Sequence, residues 1–195
     1  MTDGKSTVIR RPHHQYAQLK PLDSVSGFVH SVIESPKGCQ NKYKLNEEHG
    51  YFELHKVLPY GMFFPLDFGF VPGTRAADGD PLDVLVFMDE PTFTGCVAKV
   101  RLIGAITAEQ RSKAVPQWTR NDRILAVSVV SHTHQKIGSI DDIDPNLLGE
   151  LEQFFISYNK VQGKEFKIID RVGIESAAEL LEQAASNVRS ENESK

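Results

Sequence analysis

The sequence predicts a mainly β domain with α-helices, a small closed or nearly closed antiparallel barrel against which two C-terminal helices pack. Three observations carry this. Short runs rich in Val, Ile and Phe recur between Gly, Pro and Asp turns, a pattern of sheet hairpins more than of βαβ units. Helical periodicity is confined to the chain beyond residue 143. At 195 residues, 40% apolar and 25% charged, the chain can build one substantial core and is short for two.

Residues 1–20 are largely polar and basic, include the His13-His14 pair, and lack a period that would bury a face; they are expected to be a flexible tail. A single domain is expected over 21–189, followed by a polar tail at 190–195. The β-type runs lie at 28–34, 42–45, 51–57, 84–88, 95–107 and 123–130. Asp144 can cap a helix with Pro145 at its first position. Leu147, Leu148, Leu151, Phe154, Phe155 and Tyr158 then recur at helical spacing until Gly163. A second helix is expected to start at Ser176, where Glu179 completes a capping box, with Leu180, Leu181, Ala184 and Val188 as its apolar side.

Composition narrows the function classes. A net charge of -4 with Lys and Arg dispersed offers no basic face for nucleic acid and no polybasic segment for an anionic membrane. Cys39 and Cys96 stand far apart, outside any CxxC spacing, so neither a disulfide framework nor a zinc knuckle is indicated. No apolar run approaches the roughly 18 residues of a membrane span, and the expected location is cytoplasmic.

The chemistry concentrates at Asp78-Gly79-Asp80-Pro81-Leu82-Asp83-Val84, three carboxylates within six positions ahead of an apolar strand. Their mutual repulsion is costly without a cation, and a hard divalent ion takes oxygen ligands while keeping waters and accepting phosphate oxygens. The bland alternative is a surface turn, because Asp, Gly and Pro are turn residues anywhere. An EF-hand is excluded, since Asp83 falls where the turn glycine should be. Glu34 and Lys42 flank the tight Ser35-Pro36-Lys37-Gly38 turn, placing a carboxylate and an ammonium at one end of a hairpin, where solvated strand ends are the commoner outcome. The aromatic stretch at 59–70 suits either a pocket wall or core. His132 and His134 lack a third ligand at suitable spacing.

In this order the segments resemble the soluble family I inorganic pyrophosphatases, over roughly residue 25 to the end of the second helix. The 78–84 segment fits that family's signature at every position. Supporting matches are Glu34-Ser35-Pro36-Lys37-Gly38 with Asn41-Lys42-Tyr43, then Phe68-Gly69-Phe70-Val71-Pro72, and Phe154-Phe155 ahead of Tyr158. The resemblance implies a five-stranded OB-like closed barrel whose mouth holds magnesium, or alternatively manganese, and one pyrophosphate. It also implies a homo-oligomer, hexameric in bacterial members. By this similarity Asp78 and Asp83 would ligate metal, Asp80 would be the general base, and Glu34 would serve an outer metal. Lys42 and Tyr158 would bind phosphate, with Lys56 and Arg123 standing where the family has Arg and Lys.

The departures bear on turnover. Lys44 replaces a Glu, Phe68 and Phe64 replace tyrosines, and Asn159 replaces the Lys after the helical Tyr. Between Gly104 and Arg123 the family supplies two further metal-binding aspartates; Gln110 and Asn121 occupy those places, with Glu109 and Asp122 one residue off and Trp118 in the connection. A strand residue one position off faces the other way. Three readings follow: an inorganic diphosphatase of reduced activity, a non-catalytic paralogue binding metal and phosphate, or a hydrolase of an organic diphosphate.

Overall fold

A computed structural model describes residues 15–193. The elements are β1 (Val29–Ser35), β2 (Asn41–Leu45), β3 (Phe52–Val57), β4 (Asp67–Phe70), β5 (Asp83–Phe87), β6 (Val97–Ser112), β7 (Thr119–Arg120), β8 (Arg123–Ser128), α1 (Pro145–Val161), β9 (Lys164–Val172) and α2 (Ile174–Glu193). The main sheet runs β1-β4-β5-β8-β6-β7, with β9 added to β6, and β6 also pairs with β1. The pairings of β1, β4, β5, β8 and β6 therefore return on themselves, although these five strands are not spread evenly round an axis. β2 and β3 form a separate ribbon.

The expected antiparallel pattern is broken once: β5 and β8 pair in parallel, Asp83 opposite Arg123. Parallel strands covered on both faces are apolar along their length, and all of β8 is buried. Alternation sorts these strands between two cores. Leu85, Phe87, Leu125 and Val127 join Leu148, Leu151 and Phe155 of α1, while Val84, Val86, Ile124 and Ala126 join Ala177, Leu181 and Ala184 of α2.

The sixteen-residue β6 serves both cores, with Ile103 and Ile106 in one and Val100 and Ala105 in the other, and its pairing is irregular next to Gly104. The ladder to β8 slips between Leu102 and Gly104, and Gly104 has φ +152°. A side chain there would meet the Val172 carbonyl oxygen at 2.5 Å.

The first helix begins as expected, with the Asp144 carboxylate accepting from the Asn146 amide at 2.8 Å. The second begins earlier. Ala177 N already bonds the Gly173 carbonyl at 3.0 Å, so Ser176 lies inside the first turn instead of capping it. β4, β7 and β9 were not expected from the sequence. Residues 1–14, with His13 and His14, lie outside the described residues. Where the tail was expected to run on to residue 20, Tyr16 is buried and donates its hydroxyl to the Gly95 carbonyl at 3.1 Å. At the other end α2 continues to Glu193.

Candidate active site

The hairpin expected around Glu34 and Lys42 is not formed, because β1 and β2 belong to different sheets, yet the connection between them brings the two side chains face to face. Lys42 Nζ donates to Glu34 Oε2 at 2.5 Å, and the Leu45 amide donates to Oε1 at 3.3 Å. Both side chains are buried, and the ammonium stands 4.1 Å from the centre of the Phe68 ring.

The acidic segment is shaped by its own backbone. Gly79 takes φ +88°, the Gly79 amide reaches the Ala76 carbonyl at 3.1 Å, and the Asp80 amide bonds Asp78 Oδ1 at 3.2 Å, an Asx turn. Leu82 is buried and its amide bonds Thr74 Oγ1 at 3.0 Å, which anchors the turn as β5 begins. Because Leu82 points inward, Asp83 opens the strand on the other side.

Asp83 faces its ladder partner. Arg123 Nη2 stands 3.5 Å from Asp83 Oδ2, and Nη1 donates to the Asn121 carbonyl at 2.7 Å. The guanidinium is wedged over Phe155 and Phe166, at 4.3 and 4.5 Å from their centres, and its Nε has no hydrogen-bond partner among the described residues. Burial pushes the Asp83 carboxyl up to about 6, against the attraction of Arg123 and Lys42. Burial likewise lowers Arg123, against Asp83. Asp78 is raised by burial and by the charge of Asp80.

These groups meet in one cleft of about 270 Å³, lined by all eight residues singled out from the sequence: Glu34, Lys42, Lys56, Asp78, Asp80, Asp83, Arg123 and Tyr158. Lys56 hydrogen-bonds Gln162 on the chain after α1, and its pKa is lowered by burial and then by Lys164, Lys42 and Lys44. Tyr158 packs beside Phe64 and Phe154. The sequence reading passed over Lys164, Gln162, His55 and Glu47, which also line the cleft. Lys164 opens a strand that had gone unassigned, so no pattern pointed to it.

The connection between β6 and β8 sends neighbouring residues to opposite sides. Gln110 and Asn121 line the cleft, and Gln110 Nε2 reaches Asp78 Oδ2 at 3.3 Å. Asp122 turns to the other side, where it accepts from the Ala108 amide at 3.0 Å and from Arg120 at 2.8 Å. Glu109 pairs in register with Arg120 and lies off the cleft.

Most cleft carboxylates already meet a cation of the chain: Glu34 with Lys42, Asp83 with Arg123, and Asp80 with Lys44 at 2.9 Å. The last contact and the charges of Glu34 and Glu47 raise Lys44's pKa against the cost of its burial. Among the described residues no three of His, Cys, Asp and Glu converge as a metal-chelating group. An all-protein metal cage is therefore absent there. The carboxylate donors Asp78, Asp83 and Glu34 are hard oxygens, which fits a magnesium ion held by one or two carboxylates and completed by water and substrate oxygens.

The family model for inorganic pyrophosphatase matches residues 31–189. The chain is 37% identical over 156 residues to an inorganic pyrophosphatase of Geobacillus stearothermophilus, covering 80% of this chain and 91% of that one. An inorganic pyrophosphatase of Methanosarcina acetivorans is 35% identical over 172 residues, 88% of this chain and 99% of its own. The crystal structure of inorganic pyrophosphatase from Thermus thermophilus superposes with a TM-score of 0.80 at 30% identity, covering 89% of this chain and 98% of that one. With its cleft between the ribbon, the acidic turn, β8 and α1, this chain belongs to the inorganic pyrophosphatase family.

Proposed function

We propose that the chain hydrolyses inorganic pyrophosphate to two phosphates in this cleft, with magnesium, or manganese in its place, as the metal. The observation that carries the reading is the joint lining of one cleft by Asp78, Asp80, Asp83 and Glu34 together with Lys42, Lys56, Arg123 and Tyr158. A strongly anionic ligand bound through cations suits both sets of charge.

Asp78 and Asp83 would hold metal, and Glu34 an outer ion. Bound metal supplies neutralisation of phosphate charge and a lowered pKa for a coordinated water. Asp80, on a turn with its side chain more than half exposed, takes the proton from the attacking water. The new P–O bond forms as the bridging P–O bond breaks, and the electron pair leaves on the departing phosphate. Lys42, Lys56, Arg123 and Tyr158 donate to phosphate oxygens, stabilising the charge that builds there. The buried Arg123, held by two aromatic faces, offers a fixed donor direction.

The ring of strand pairings is read as the five-stranded OB-like closed barrel of the resemblance, with the cleft at its mouth. The resemblance alone supports a homo-oligomer, a hexamer in bacterial members, and a cytoplasmic location. Among the described residues no helix is long and apolar enough to cross a membrane. The second reading, a weak or inactive paralogue, draws on Gln110 and Asn121, amides in the cleft where carboxylates would raise metal affinity. Phosphate release from pyrophosphate, titrated with magnesium and with manganese, decides: metal-dependent release is expected, and its absence at saturating metal gives the site to the paralogue. Release only from an organic diphosphate would move the substrate to that class.

A further inference from the structure

We propose that Lys44 sets how tightly the cleft takes divalent metal, by occupying the Asp80 carboxylate with a fixed charge of the chain's own; this rests on reading the cleft as a metal and diphosphate site. Lys42 and Lys44 are two positions apart on β2 and both reach the cleft. Their situations differ. Lys42 is buried against Glu34 and the Phe68 ring, whereas Lys44 retains 46% side-chain exposure and spans from the ribbon to the acidic turn, Nζ 2.9 Å from Asp80 Oδ1. Asp80 is itself 59% exposed and sits between Asp78 and Asp83 in the turn.

Two consequences follow from charge. One oxygen of the most exposed cleft aspartate is engaged by an ammonium, so its field is partly cancelled before any ion arrives. A divalent ion approaching Asp78 or Asp83 also feels that ammonium with twice the force a monovalent ion would. The fold gains little from the contact, because ion pairs this exposed contribute little to stability. Lys44 thus holds metal affinity down while adding little to stability, and it tunes the metal range over which the site works. It is a positioning residue for Asp80, not a ligand.

The test is calorimetric titration of magnesium into the full-length, chelator-stripped, substrate-free protein. Lys44→Met should bind magnesium about tenfold more tightly, and Lys44→Arg, which keeps the charge, should bind as the wild type does. Lys167→Met, on exposed β9, controls for net charge and should change nothing. In activity assays the magnesium concentration for half-maximal rate should fall in Lys44→Met in parallel with the calorimetric constant. Unchanged affinity in Lys44→Met, equal tightening in Lys44→Arg, or equal tightening in the control would each overturn the proposal. Lack of pyrophosphate hydrolysis by the wild type would count against the proposed reaction instead. The substrate-free metal titration does not depend on turnover and decides the role of Lys44 in either case.

Discussion

Glu34 and Asp83 are both carboxylates with a cation beside them, yet their surroundings assign them different weight. Glu34 is closed off by Lys42 and the Leu45 amide, so both of its oxygens are engaged. Asp83 has one long contact to Arg123, and its pKa is raised by burial despite the nearby Arg123 and Lys42. Asp83→Asn should therefore abolish metal-dependent phosphate release, while Glu34→Gln should leave measurable activity at raised magnesium. Equal losses in steady-state assays would refute that ranking. Asn121 presents the complementary case: it lines the same cleft as Asp78 and Asp83 but carries no charge. Asn121→Asp should tighten magnesium by on the order of tenfold in calorimetry and lower the metal-free melting temperature, because a further carboxylate joins a set that already repels itself. A variant unchanged in both respects would mean that position 121 does not act on the metal site.

Elements were legible in the sequence where one physical signal dominated. α1 declared itself through the Asp144 cap, Pro145 and a run of apolar positions at helical spacing, and the acidic turn through its Asp and Gly spacing. β4 was hidden because its four residues, Asp67–Phe70, sit among Phe and Pro that read equally as core. β9 was missed because its alternation is weak, with Phe166 its one buried residue, and its partner is the distant β6. Asn121 lines the cleft as the register suggested, although it and Asp122 lie between β7 and β8 where strand period does not apply, and the Lys44 contact needed the ribbon's position. Gly69 in β4 shows a constraint that no pattern reveals: a Cβ there would lie 2.0 Å from the Val32 carbonyl oxygen and 2.9 Å from Ile33 Cα, backbone atoms of β1. Neither strand can yield without losing the ladder, so Gly69→Ala should destabilise by about 3 kcal/mol or more. Urea unfolding measures this. Because Phe68 and Glu34 flank the contact, the variant's magnesium affinity should fall as well, and a near-native midpoint would show that β1 and β4 can separate.

For the whole molecule, cleft electrostatics should appear in how stability responds to pH and metal together. Asp83 has a folded pKa of about 6 against the ordinary value of 3.8. A carboxyl raised on folding contributes its stability at low pH, and that contribution is lost as pH rises through the folded pKa, here between roughly 4 and 6. Asp78 and Asp67 are raised by burial and act in the same sense. His55, lowered by burial and neighbouring lysines, acts oppositely near 6.5 as its folded form resists protonation. Asp23, Asp89 and Asp142 are lowered by hydrogen bonds and lose their contribution only in stronger acid. The difference between wild type and Asp83→Asn removes the groups remote from the cleft and leaves Asp83 with the neighbours coupled to it, Arg123, Lys42, Glu34 and Asp78. In chelator, the two should be equally stable near pH 4, with the variant more stable near neutral pH by at most about 3 kcal/mol. Saturating magnesium should invert the order, because the wild type gains binding free energy that the variant largely forgoes. Chemical unfolding at both pH values, with and without magnesium, reads all four states. If the variant is the less stable one in chelator near neutral pH, the Arg123 contact outweighs burial at Asp83, and the cleft holds its charge without help from metal.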